Sequence, residues 1–317
     1  MLTQTDELVL SIDCGGTKVE AALVDAEGRV LEASRYRQPT GPQRTAEALA
    51  LQVRSVVQDS LASMPGDSKL RGIGVGSAGP INLKRGSVSP VNLAVWQDFD
   101  IRSLVEAAAA EMGYESNAVI RLDGLCIALA EHWVGAAMGR DTVLGMIVLT
   151  GIGGGIITGG RMTLGATGNA GHIGQIEVAG YTAPTGGCTL EEIASGPSTV
   201  RWARTLGWNG RTGEDLAISY AEGETVAVRA VQRSASAIGR ALASVSTLLD
   251  LEMVVIGGGS SRVTPDLFAL IRQSVLRHAP LDYVQDMQII PTGLNEDGPL
   301  IGAAALVWTN AAEVKPR

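Results

Sequence analysis

The sequence predicts an α/β fold built from two similar halves around a cleft. The chain has 317 residues, 45% of them hydrophobic, enough for two ordinary cores, because a single core stops growing near about 250–300 residues. Short apolar runs such as Leu8 to Asp13, Arg71 to Gly76 and Met253 to Ile256 alternate with longer stretches of helical spacing, the mark of buried strands among helices. In each half a glycine turn directly follows a buried strand, at Cys14-Gly15-Gly16 and at Gly151 to Gly155, which reads as a structural repeat.

The elements follow in order. Leu8 to Asp13 and Val19 to Asp25 are strands joined by the first glycine turn, and Glu27-Gly28 makes the next turn. Thr45 to Ser63 is a helix, with Ala46, Leu49, Val53, Val57 and Leu61 three or four residues apart. Arg71 to Gly76 is a strand, Ile101 to Met112 a helix, Ala118 to Leu122 a strand and about Gly124 to Met138 a helix. The second half opens with a strand at Gly145 to Leu149, a turn at Gly151 to Gly155 and a returning strand at Ile156 to Thr158. Helices at Pro197 to Leu206 and Thr225 to Leu249 precede the strand Met253 to Ile256. A last helix, from about Pro299 to Trp308, starts on proline in its favoured first turn and is expected to close back on the amino-terminal half.

Composition excludes several classes of function. The 33 acidic against 25 basic residues give a net charge of -8 with no Lys/Arg run, so a phosphodiester backbone is not an expected partner. Cys14, Cys126 and Cys188 are widely spaced without a CxxC pair, which fits a reducing cytoplasm rather than a disulfide framework. The polar Met1 to Glu7 has no signal-peptide pattern, and the apolar stretch from Ala241 to Gly257 is broken by Asp250 and Glu252, so no membrane span is expected.

Three glycine turns and one aspartate carry the chemistry. In Asp13-Cys14-Gly15-Gly16-Thr17-Lys18, bare backbone N–H groups can approach phosphate oxygens, Thr17 adds a hydroxyl, and Asp13 can hold Mg2+ through water. The spacing is not that of a Walker loop, and a plain Gly-Gly hairpin is the alternative reading. Thr150, Gly151, Gly153 and Gly154 offer the same groups from the other half, so the pair can grip a nucleoside triphosphate from both sides. Gly257, Gly258 and Gly259 can let an adenine or ribose lie flat, or simply turn the chain from strand to helix. Asp123 ends a strand just before a helix, where it can accept a proton from an attacking hydroxyl or cap that helix.

Taken in order, these segments resemble the ROK family (repressors, open reading frames and kinases). The resemblance runs through Ser77-Ala78-Gly79-Pro80, Asn92-Leu93, Trp96, Asp123, Thr150 to Gly155, Gly171 to Gln175, Leu190-Glu191, Gly257 to Gly259 and Gly298 to Ala304. It implies a two-domain actin-like (ribonuclease H-like) ATPase fold, with one domain of residues 1–122 plus about 295–317 and the other of 123–294. It also implies phosphate binding at the first two glycine turns, Asp123 as catalytic base, and a sugar held by Gly79, Asn92, His172, Gln175 and Glu191. The first phosphate turn lies too near the start for the helix-turn-helix of the repressor members, so the kinase branch, acting with ATP and Mg2+ as a homodimer, is expected. Ala170 to Gly174 resembles the Ala-Gly-His-Ile-Gly of bacterial N-acetylmannosamine kinases. That favours an N-acylated aminosugar, with glucose, or a catalytically weak sugar sensor, as alternatives.

Two departures accompany the resemblance. Leu122 stands where the family usually has an asparagine, and Gln175 where it has a zinc-binding histidine. The segment Thr182 to Glu191 holds Cys188 alone in place of three cysteines. Zinc needs about four N or S ligands, so no structural zinc is expected.

Overall fold

The computed structural model describes residues 7–41, 43–91, 93 and 95–309. The first half contains β1 (Glu7–Cys14), β2 (Lys18–Val24), β3 (Tyr36–Pro39), α1 (Ala46–Ala62), β4 (Lys69–Ser77), the small hairpin of β5 (Ile81–Asn82) and β6 (Ser87–Val88), α2 (Ile101–Ala110) and β7 (Ala118–Leu122). Helix α3 (Asp123–Val134) leads into the second half. There β8 (Val143–Val148), β9 (Ile152–Thr158) and β10 (Arg161–Met162) precede α4 (Leu190–Ala194), α5 (Gly196–Thr205), α6 (Gly213–Ala221) and α7 (Thr225–Leu249). The chain continues through β11 (Met253–Gly257), α8 (Leu267–His278), α9 (Asp282–Asp286), β12 (Gln288–Pro291) and α10 (Gly298–Trp308).

The repeat is visible in the sheets. One runs in the order β3-β2-β1-β4-β7 and the other β10-β9-β8-β11-β12. In both, the strand preceding the glycine turn pairs antiparallel with its successor and parallel with the strand on its other side. The fold is that of the actin-like ATPases expected from the resemblance.

Alternation along β4 decides where the helices lie. Ile73 and Val75 enter the core beneath α1 and α2, while Gly72, Gly74 and Gly76 present bare backbone to the opposite face. Helix α10 occupies that face so closely that a Cβ on Gly74 would lie 1.8 Å from the Ala303 carbonyl oxygen. The buried Ser11 hydroxyl of β1 also donates to the Leu300 carbonyl of α10. The second sheet receives α3 in the same way, since a Cβ on Gly155 would lie 2.2 Å from Leu125 Cα and one on Gly145 2.5 Å from Ala128 Cα. The two helices meet where a Cβ on Gly302 would lie 1.9 Å from the Cys126 carbonyl oxygen. On the far face of the second sheet, Val254 and Ile256 join a separate core beneath α4 to α8, whereas Met253 and Val255 face α3.

One expectation is corrected here. The run Gly151 to Gly155 is not a long turn followed by a strand at Ile156; β9 already begins at Ile152. β8 ends at Val148, so Leu149, Thr150 and Gly151 form the turn, and the next glycines are strand residues shaved for contact with α3 and the 171–174 segment.

If these contacts are as tight as the geometry requires, Gly302→Ala and Gly155→Ala will each lower stability by about 1–3 kcal/mol through overpacking. Gly66→Ala, on a surface loop with nothing within 4 Å of the added methyl, is expected to stay within about 0.5 kcal/mol of the parent. Denaturant unfolding of the three variants makes the comparison.

Candidate active site

The turn between β1 and β2 places Asp13 at the end of a buried strand, opposite Gly76 in β4 and Glu20 in β2. Asp13 is 7% exposed. Burial pushes its carboxyl up to about 7, against the pull of Lys18 and with the negative charges of Asp123 and Glu20 adding to the rise. Lys18 Nζ stands 3.9 Å from Asp13 Oδ2 but bonds directly to Glu20. Glu20 also accepts from Arg37 at 2.9 Å. Burial works against ionisation of Glu20 too, yet these cationic partners hold its pKa below the usual carboxylate value. Asp13 is therefore the under-neutralised member of the cluster. A divalent cation bridged by water and carried by phosphates suits it, since a hard cation binds through few protein oxygens in such sites.

Asp123 is the first residue of α3, with Leu122 in the cap position. Its Oδ1 accepts the Gly124 N–H at 2.7 Å, which is favourable in the first turn of a helix but is not the N2 or N3 bond of a side-chain cap. Burial raises its pKa, opposed by the Gly124 N–H and by the charge of His172. No Lys or Arg pairs with it among the described residues. A Cβ on Gly153 would lie 3.5 Å from Oδ1, so the second glycine strand passes beside the carboxylate.

The remaining predicted residues converge on the same place. His172 Nε2 is buried with no hydrogen-bond partner among the described residues, and a Cβ on Gly79 would come within 3.0 Å of it and 2.4 Å of Leu122 Cδ2. Glu191, in the first turn of α4, accepts the Ile152 N–H at 2.7 Å through Oε2, and its Oε1 lies 3.5 Å from Gln175 Nε2. Asp13, Gly15, Gly16, Thr17, Lys18, Gly79, Asp123, Thr150, Gly151, Gly153, Gly154, His172, Gln175 and Glu191 all line one cleft of about 390 Å³. Asn92 lies outside the described residues. Pro299, the first-turn proline of α10, also lines the cleft, as do Val91 and Ile127, which look like an ordinary loop and helix residue in the sequence.

Leu149 and Thr150 also line a second cavity of about 720 Å³, bounded by α5, α6 and the chain after β11. Gly259 is part of its wall. Gly257 and Gly258 sit behind it: Gly258 has φ +92° and would place a Cβ 2.4 Å from the Val148 carbonyl oxygen. Arg201, Arg204 and Arg211 face this cavity and were not foreseen. For Arg211 the available signal was the capping box at Thr212 and Asp215 that starts α6; Arg201 and Arg204 lie on α5, whose helix the sequence shows.

The model of the ROK family matches residues 9–310. The chain belongs to the ROK family. It is 28% identical to a glucokinase of Streptomyces coelicolor, over 94% of this chain and 97% of that protein. It is 29% identical to an N-acetylmannosamine kinase of Yersinia pseudotuberculosis, over 96% and 98% respectively. Among solved structures, the ROK family glucokinase of Streptomyces griseus in complex with glucose and AMPPNP superposes with a TM-score of 0.79 at 29% identity, covering 94% of this chain and 98% of that one.

In this ROK protein the segment from Glu177 to Thr189 is held by its own backbone and by two arginines. Val178 N–H donates to Cys188 O at 2.9 Å, and Ala183 N–H to Gly187 O at 2.7 Å. Arg233 reaches from α7 to the carbonyls of Thr182 (2.9 Å) and Ile193 (3.1 Å), and Arg240 to that of Ala179 (2.9 Å). The Arg233 guanidinium also stacks 5.4 Å from Tyr181 and 5.0 Å from Trp202. Among the described residues no group of three or more His, Cys, Asp or Glu is placed to hold a metal.

The raised pKa of Asp13 has a sign that thermal unfolding can read. A carboxyl that binds its proton more tightly folded than unfolded loses stability as pH rises from the ordinary carboxylate range to about 7. Asp13→Asn is therefore expected to be more heat-stable than the parent at pH 8 by several degrees, with the difference vanishing near pH 4.

Proposed function

We propose that this ROK sugar kinase transfers the γ-phosphoryl group of Mg-ATP to a hexose or N-acylhexosamine, at the C6 hydroxyl, with N-acetylmannosamine as the preferred acceptor. One observation carries the reading: a desolvated carboxylate with no Lys or Arg partner among the described residues, Asp123, shares a cleft with two glycine-bearing turns and with His172, whose Nε2 has no hydrogen-bond partner among them.

The residues divide the work by chemistry. Gly16 and Thr17 of the first turn and Thr150 and Gly151 of the second offer N–H groups to the phosphate chain from opposite halves, with Lys18 beside the first. Asp13 holds the Mg2+ of the nucleotide through water. The larger cavity past Thr150, with Gly259 in its wall, takes the nucleoside. His172, Gln175 and Glu191 bind the sugar, and the bond from Ile152 N–H fixes one Glu191 oxygen so that the other stays available. Asp123, desolvated and raised in pKa, accepts the proton of the attacking hydroxyl more readily than a solvated carboxylate does. Closure of 1–122 with about 295–317 against 123–294 belongs to the same proposal, since it keeps water from competing as acceptor. The cytoplasm is the compartment that goes with this reading.

Glucose is the second acceptor to consider, because a glucokinase stands among the relatives at the same level of identity as an N-acetylmannosamine kinase. The site itself favours the aminosugar through His172, which offers an N–H or a lone pair to a C1 or C2 substituent, and through Leu122, which offers no hydrogen bond.

A coupled ADP-release assay with Mg-ATP against N-acetylmannosamine, N-acetylglucosamine, mannose, glucose, fructose and allose tests the substrate. N-acetylmannosamine is expected to give the highest kcat/KM, and a higher value for glucose overturns that choice. Asp123→Asn is expected to lower kcat by roughly 10²- to 10⁴-fold with ATP affinity little changed; near-normal turnover in this variant would remove Asp123 as the base. His172→Ala is expected to raise KM for the sugar about tenfold while KM for ATP holds.

A further inference from the structure

A groove between α7 and α8 shares no residue with the cleft or with the larger cavity beside it. Arg229, Gln232, Arg233 and Ser236 recur on one face of α7, and Leu270, Gln273, Ser274 and Arg277 on one face of α8. The helices touch closely at Gly239, where a Cβ would lie 2.4 Å from Ser274 Cβ. Tyr181 and Trp202 complete the wall of a concavity of about 500 Å³, a volume within the usual range for small-molecule sites.

The charge of this groove is of one sign, on a chain whose net charge is -8. The lining contains three arginines and no acidic residue. Among the described residues, Arg229 and Arg277 have no carboxylate partner, and Arg233 bonds only to backbone carbonyls. Guanidinium groups gathered without a counter-charge repel one another, and an anion with several acceptor oxygens relieves that repulsion through bidentate bonds. Gln232 and Gln273 add amide donors, and the two aromatic rings can flank a less polar body.

We propose that this groove binds a small phosphate-bearing anion of sugar-phosphate size, and that Arg233 couples its occupancy to the sugar site. Arg233 holds the carbonyls of Thr182 and Ile193. Ile193 lies in α4 two residues from Glu191, whose carboxylate fixes Ile152 in the cleft wall. An anion that draws the guanidinium towards itself weakens those carbonyl bonds and loosens α4, so occupancy raises KM for the sugar. Binding rests on the groove alone; the coupling rests on the sugar site proposed above.

Calorimetric titration with inorganic phosphate and, separately, with glucose 6-phosphate tests binding without requiring turnover. The comparison is between the parent protein and the double variant Arg229→Ala with Arg277→Ala, whose exposed positions should leave the unfolding temperature unchanged. The expected result is binding at least about tenfold weaker in the double variant, accompanied in the parent by a fluorescence change that Trp202→Phe removes. Preference for glucose 6-phosphate supports a site that reads the sugar body, and equal binding of both probes supports one that reads phosphate alone. Equal affinity in parent and double variant, absence of binding at millimolar concentration, or a dimer that falls to monomer in the double variant overturns the proposal. For the coupling, glucose 6-phosphate should raise the parent's KM for the sugar more than that of the double variant; equal responses overturn it even where binding stands.

Discussion

The crossing of α3 and α10 between the two sheets is the contact on which the rest of the molecule depends. Each helix lies on a sheet through glycine backbone, and the two meet where Gly302 faces the Cys126 carbonyl. Glycine within a strand is unfavourable because it has no side chain to bury and more freedom to lose. Here the loss is offset by backbone-to-backbone approach that no larger residue permits. The consequence for the cleft is direct. Asp123 is the first residue of α3 and Pro299 lies at the start of α10, so the helices that join the halves also fix the floor of the cleft.

Asp13, Glu20 and Asp123 show how burial and partners compete to decide the charge. Glu20 and Asp13 are both buried, but Glu20 bonds to Lys18 and Arg37 while Lys18 only approaches Asp13. The pKa values move in opposite directions as a result. Asp123 has a backbone N–H and the influence of His172, and its pKa stays raised. A lysine committed to Glu20 leaves Asp13 ready for a cation that arrives with a ligand. The same commitment keeps a fixed positive charge near the phosphate turn without letting it quench Asp123.

Much of the architecture could be read from spacing. The helix over Thr225 to Leu249 and the strand over Ala118 to Leu122 have the ends read from the sequence, because each has a strong period and a clear stop. The glycine run after Thr150 misled, since nothing local distinguishes a glycine needed for a turn from one needed to admit α3. The helix α8 was overlooked although Leu267, Ile271 and Val275 carry its buried stripe at steps of four; α6 was overlooked although a capping box announces it. Of the candidate site, the glycine turns, Asp123 and Glu191 were legible as residue types in order. The arginines between α7 and α8 were not, because their significance lies in a lining without carboxylates, a property of space rather than sequence.

The cleft is held in a state that is costly to the empty protein. Asp13 and Asp123 are desolvated, and His172 Nε2 lacks a hydrogen-bond partner among the described residues, a departure from the rule that buried polar groups find bonds. Removing them would favour folding and, under the proposed function, deprive a ligand of the groups it answers: a cation for Asp13, a hydroxyl for Asp123, a polar substituent for His172. Binding then stabilises the fold by satisfying what folding left open. The bond from Ile152 to Glu191 and the grip of Arg233 on the segment before it belong to the same logic, since unsatisfied groups are useful only where neighbouring backbone keeps them from collapsing onto one another.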